Sequence, residues 1–106
     1  MKLDSEKALQ ALNQVDSPFL NLFEHGSLSV EVYRPEGADL QQPHDRDEIY
    51  VIISGSGHFQ NGTETVTFKT GDFLFVPAGR EHRFIEFSAD FATWVFFYGP
   101  QGGEKA

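Results

Sequence analysis

The sequence predicts an all-β fold: a small antiparallel jelly-roll barrel with one short α-helix at its N-terminus. Three observations carry this. After Gly26 the apolar residues recur at a period of two, which is strand spacing and not helix spacing. The strand-like runs are short, and Gly, Pro, Asn or Asp separates them at regular intervals, as in antiparallel sandwiches and barrels. Helical spacing occurs only near the start, where Ala8, Leu9 and Leu12 fall on one side of residues 5–14.

Taken in order, Asp4 or Ser5 can cap that helix by accepting a backbone N–H. Asp16-Ser17-Pro18 ends it, because proline disfavours the helical conformation in the residue before it. Leu28, Val30 and Val32 alternate with Ser29, Glu31 and Tyr33, the pattern of a half-buried strand, and residues 35–39 form a loop. The run from Glu48 to Ile53 is a second strand, and it leads into Gly55-Ser56-Gly57, a turn or bulge that needs glycine's freedom. No helix follows those glycines, so they do not make a phosphate loop. Residues 58–60 and 63–68 flank Asn61-Gly62, which predicts a type I′ hairpin. Turns at 69–72 and 77–79 bracket Phe73–Val76, two further strands at 82–87 and 92–99 complete the sheet, and residues 101–106 read as a flexible tail. The expected division is a helical segment at 1–25 and a barrel at 26–106, one domain with one core.

Composition excludes several function classes. With 40% hydrophobic and 14% aromatic residues the chain has the apolar surface to offset chain entropy and fold. A formal charge of −8, with its 8 basic residues scattered, argues against a nucleic-acid partner, since phosphate binding needs clustered Lys and Arg. The absence of Cys removes disulfides, thiolate zinc sites and Cys nucleophiles. No apolar run approaches the length that spans a bilayer and the N-terminus carries no apolar leader region, so no membrane partner and a cytoplasmic location are expected.

The chemistry-bearing residues fall into two separated stretches. In the first, Gln42 and His44 are followed after three residues by Glu48 and after six more by Gly55. In the second, Gly71 is followed after five residues by Pro77, then by Gly79, then after two residues by His82 and after three more by Glu86. This spacing resembles the two motifs of the cupin family, with Gln42 where the family has its first His and Glu86 where it has Asn. The resemblance covers roughly residues 26 to 100.

The resemblance implies a double-stranded β-helix that holds one divalent transition metal per chain, Fe, Mn, Ni or Zn, by His44, Glu48 and His82, with the Gln42 carbonyl oxygen as a candidate fourth ligand. Two imidazoles and a carboxylate suit these ions and leave positions for water or substrate. A second alignment makes His44 the first ligand and puts Arg46 at the second His position, where a guanidinium cannot coordinate. Residues of one parity in a strand share a face, so Glu48 and Tyr50 point one way, His82 and Glu86 share another face, and Trp94, Phe96 and Tyr98 a third. Burying Glu48 and His82 without a partner is expensive, and a metal resolves that cost.

Glu86, with a pKa raised inside the barrel, and Tyr50 are the candidate catalytic residues that move a proton; the alternative for Glu86 is an exposed strand end paired with Arg80 or Arg83. His25 and His58 read as surface histidines, and Asp45-Arg46-Asp47 as a solvated turn. Three functions remain open: a metal-dependent enzyme on a small-molecule substrate, with an Fe(II) dioxygenase first and isomerases or lyases beside it; a non-catalytic small-ligand binder or sensor; and an oligomerisation module. Apolar residues on both faces of several strands, Val51, Ile53, Phe73, Phe75 and Phe97 among them, predict a homodimer, the common state of the resembled family.

Overall fold

A computed structural model describes residues 1–105; Ala106, the end of the expected tail, lies outside them. Helix α1 (Ser5–Leu12) starts at Asp4, whose side chain accepts a hydrogen bond from the Lys7 backbone N–H at 2.8 Å. Eight strands follow: β1 (Phe19–His25), β2 (Leu28–Tyr33), β3 (Asp47–Ser54), β4 (Ser56–Asn61), β5 (Glu64–Lys69), β6 (Phe73–Val76), β7 (His82–Ile85) and β8 (Ala92–Tyr98). They form a five-stranded sheet in the order β1-β2-β8-β3-β6 and a three-stranded sheet in the order β5-β4-β7, with every pairing antiparallel. This is the jelly-roll architecture that strand periodicity and turn spacing predict.

The segment 1–25 is not helical throughout, because Phe19–His25 pairs with β2 as the outer strand of the larger sheet. The helix ends at Leu12, capped at Asn13, before Pro18 is reached; the Pro18 carbonyl then accepts from Arg34 N at 2.7 Å, which starts the pairing. The sheet layer therefore begins at residue 19 and not at 26.

Two apolar clusters explain the packing. Tyr33, Tyr50, Ile52, Phe59, Phe68, Val76, Phe84, Phe91 and Val95 fill the space between the sheets. Ala8, Leu12 and Val32 form a second cluster on the outer face, joined by Leu20, Leu22, Ile53 and Trp94. β2 is thus buried on both faces and not half-buried: Val32 packs under the helix, while Tyr33 enters the barrel. Trp94 likewise faces the helix and not the barrel interior.

The chain passes from one sheet to the other between β3 and β4 at Gly55, where φ is 88°. A Cβ there would stand 2.6 Å from Ser88 Oγ and 2.7 Å from Phe91 Cα, so only glycine fits the crossing. The next hairpin turns one residue later than predicted. Asn61 pairs with Glu64, which leaves Gly62-Thr63 as the loop, and positive φ falls on Gly62 alone, the type II′ pattern and not I′. Asn61 stays in the strand because its side-chain amide donates to the Phe75 carbonyl at 2.9 Å across to the other sheet. The tail is also anchored through its described part: Gly102 N donates to Asp45 O at 2.6 Å and Glu104 N to Asp47 Oδ2 at 2.8 Å.

Candidate metal centre

The turn Pro77-Ala78-Gly79 ties the two stretches together. Gly79 N donates to the His44 carbonyl at 2.6 Å, and Ala78 N donates to Asp47 Oδ1 at 2.9 Å. Asp47 is buried and holds this junction, so it is not part of a solvated turn. Glu48, one residue on, points into the barrel between its neighbours Val76 and Phe97. His82 opens β7 on the opposite sheet, three residues after the same turn.

These placements bring His44, Glu48 and His82 together, with one ligand atom from each lying within 4.8 Å of the others. His82 Nε2 stands 3.1 Å from Glu48 Oε1, and His44 Nε2 stands 3.9 Å from the same oxygen. The side chains of His82 and Glu48 are 0% and 1% exposed, and His44 forms the outer wall at 34%. The His44 ring rests edge-on against Phe97, with centroids 4.8 Å apart.

Hydrogen bonding sets the chemistry of these atoms. His82 Nδ1 lies 2.9 Å from the Arg80 carbonyl, which can only accept, so Nδ1 carries the proton and neutral His82 presents the Nε2 lone pair to the site. Both Glu48 oxygens and His82 Nε2 are buried and lack a hydrogen-bond partner among the described residues, because the 3.1 Å contact between them is not aligned as a hydrogen bond. Orphaned buried atoms of this kind are rare and costly. Donors bound at right angles to a common ion at usual bond lengths lie about 3.0 Å apart. The spacing and chemistry of this donor set fit a divalent transition metal.

Charge shifts follow from burial. Desolvation pulls the His82 pKa down, but the Glu48 carboxylate, the Arg80 carbonyl and the Asp39 charge outweigh it, and the net shift is upward. Burial first, then the Glu48 charge, raises the Tyr50 hydroxyl well above its ordinary value, so it stays protonated and serves as a donor. Its hydroxyl donates to Gln41 Oε1 at 3.1 Å.

Three expectations change here. Gln42 is exposed, and the amide at the site belongs to its neighbour Gln41, whose Oε1 lies 3.2 Å from His44 Nε2. Glu86 does not share the His82 face: its φ of 50° breaks the strand alternation. Its side chain is 75% exposed, and the ionisable side chain beside it is His58, at 3.9 Å, and not Arg80 or Arg83. Arg46 reaches away from the ligand set, donating to the Ser27 carbonyl and lying 5.9 Å from the Phe97 ring centroid, which rules out the alignment that puts it in a ligand position. His25 is exposed, as expected.

Residues that periodicity did not single out also belong to the site. Glu31 shares its strand face with Tyr33 and so faces the barrel; burial first, then the Glu48 charge, raises its carboxyl pKa against the opposing Arg46 charge. Asp39 is 2% exposed and accepts from the Tyr33 hydroxyl at 2.6 Å and from Phe84 N at 2.9 Å. Burial of Tyr33 first, then its hydrogen bond to Asp39 and the Asp39 charge, raises the Tyr33 pKa. A cleft of about 580 Å³ beside this segment is lined by Leu12, Phe19, Tyr33, Arg34, Leu40 and Gln41 among others, so Gln41 has the ligand set on one side and the cleft on the other.

A family model described as a cupin domain matches residues 29–98, the span that holds every residue of this centre. The chain is a cupin. A protein of Streptomyces coelicolor described as uncharacterized is 33% identical to this cupin over 102 residues, covering 94% of this chain and 95% of its own. A cupin-2 domain containing protein from Shewanella frigidimarina superposes with a TM-score of 0.71 at 19% identity, over 92% of this cupin and 94% of that chain. KdgF from Halomonas sp. superposes with a TM-score of 0.66 at 15% identity, over 78% and 80%. These structural likenesses show the fold. Among the described residues no helix is long and apolar enough to cross a membrane.

Proposed function

We propose that this cupin binds one divalent metal at His44, Glu48 and His82 and acts there on a small oxygen-bearing molecule, within the range of dioxygenases, isomerases and lyases. The observation that carries the reading is the buried Glu48–His82 pair, 3.1 Å apart and without hydrogen-bond partners. A bound divalent ion would supply Lewis-acid polarisation of substrate oxygens and, as Fe(II), access to O2. The chain's own contributions are distinct from this. Arg80 fixes the His82 tautomer, Phe97 and Phe59 exclude water from the ligands, and Tyr50 donates a hydrogen bond inside the barrel. Glu31 is the carboxyl outside the ligand set that faces the same interior with a raised pKa, which suits proton transfer.

A non-catalytic small-ligand binder is the second reading. It is favoured by the position of Glu86 on the surface and by the engagement of Tyr50 with Gln41. Metal content tests the first requirement of the enzyme reading. Protein reconstituted with Fe(II), Mn(II), Ni(II) or Zn(II) and desalted is expected to retain about one ion per chain, lost in His82→Ala, as a single three-residue site dictates. Retention at wild-type level in His82→Ala would place any bound ion elsewhere. The proposed assembly is a homodimer: Phe73 and Phe75, 62% and 42% exposed on the edge strand β6, adjoin Ile49 and Val51 on β3, an apolar face that light scattering can assign to a dimer or to a monomer.

A further inference from the structure

We propose that Gln41 supplies a fourth, neutral oxygen donor to the His44–Glu48–His82 centre, aimed by the buried carboxylate of Asp39, and that this donor tilts the centre toward Mn(II) and away from Zn(II) and Ni(II). The proposal rests on the metal reading above and adds to it a residue and a selectivity.

The orientation of the Gln41 amide is fixed by chemistry. Asp39 is 2% exposed and, as a carboxylate, offers only acceptors. Gln41 Nε2 donates to Asp39 Oδ2 at 2.8 Å, and Gln41 N donates to Asp39 Oδ1 at 3.2 Å. The Tyr33 hydroxyl and Phe84 N hold the same carboxylate from two other strands, so Asp39 cannot swing away. With its NH2 group committed to Asp39, Gln41 must turn its oxygen to the other side. There Oε1 lies 3.2 Å from His44 Nε2, the same nitrogen that stands 3.9 Å from Glu48 Oε1.

That juxtaposition suits a shared cation: an imidazole nitrogen and an amide oxygen 3.2 Å apart can both donate to one ion. The amide oxygen also accepts from the Tyr50 hydroxyl at 3.1 Å, which leaves its second lone pair for that ion. The distance is that of adjacent donors on one ion, about 3.0 Å at usual bond lengths. An amide oxygen is a harder donor than imidazole, so replacing one by the other weakens the ions that favour nitrogen more than it weakens Mn(II). Gln42, which is exposed, plays no part.

The test is competitive titration of Mn(II) and Zn(II) into metal-free full-length protein, with the absorption spectrum of Co(II) as a separate reporter of donor number. Gln41→Met, which keeps the length and removes the oxygen, is expected to weaken Mn(II) by about tenfold. Gln41→His is expected to shift the Zn(II)-to-Mn(II) preference toward Zn(II) by a similar factor, to alter the Co(II) spectrum, and to keep the unfolding midpoint. Asp39→Asn, a change at the positioning residue, is expected to weaken Mn(II), whereas Gln42→Ala leaves both affinities unchanged. If Gln41→Met and Gln41→His bind both ions as the wild type does while His82→Ala binds neither, Gln41 is not a ligand and the three-residue centre stands alone. If the wild type binds no ion, this proposal and the metal reading fall together.

Discussion

Glu31 shows how a residue's meaning depends on which face of its strand is the inner one. The alternation of β2 places Val30 and Val32 opposite Ser29, Glu31 and Tyr33, and apolar residues ordinarily mark the core side. Here the helix covers Val32, and Tyr33 with Glu31 on the opposite face of the strand enters the barrel. Because burial and the Glu48 charge raise its pKa above the ordinary 4.5, Glu31 contributes stability that is present below that value and lost as pH rises through its folded pKa. Glu31→Gln, measured without metal, is therefore expected to raise the unfolding midpoint at pH 7.5, with the difference shrinking toward pH 4. A variant less stable than wild type at pH 7.5 would contradict that account. The clustering of His44, Glu48 and His82 was legible in the sequence because their spacing resembles the two cupin motifs. Asp39 and Gln41 were not, because the loop after β2 has no period that says which of Gln41 and Gln42 turns inward.

At the scale of elements, turn chemistry was more legible than turn register. Asn61-Gly62 marked the hairpin correctly, but the cross-sheet bond from Asn61 to Phe75 kept Asn61 in β4 and moved the turn by one position. Periodicity likewise missed β1, whose exposed and half-buried residues do not alternate cleanly and whose pairing with β2 shifts register between Asn21 and Phe23. Gly55 was read from sequence as a turn or bulge, and the structure gives it a stronger role as the crossing point between sheets. A side chain there meets the Phe91 backbone at 2.7 Å while φ stays at 88°. Gly55→Ala is expected to cost roughly 2–4 kcal/mol, combining left-handed backbone strain with overpacking. Chemical denaturation reads this directly, and a loss below about 1 kcal/mol would mean the crossing relaxes freely.

For the whole molecule, the jelly roll assembles the centre from distant parts of the chain: His44 from a loop, Glu48 from the larger sheet and His82 from the smaller. Closing the sheets over one another is what buries Glu48 and His82 together, and a metal-free core must tolerate that pair without hydrogen bonds. On the proposed metal reading, fold and metal binding are therefore energetically coupled. The raised pKa of His82 makes the coupling pH-dependent. Its contribution to the metal-free fold is present below the ordinary 6.5 and lost as pH rises through the folded value, while metal binding strengthens as the same proton leaves. Thermal unfolding with Mn(II) or with chelator, at pH 6 and at pH 8, is the most direct measurement of this claim. At an ion concentration a hundredfold above Kd the account predicts about 2.7 kcal/mol of added stability, on the order of 10 °C in the midpoint, and a wider gap at pH 8 than at pH 6. Identical midpoints with ion and with chelator at both pH values would contradict it.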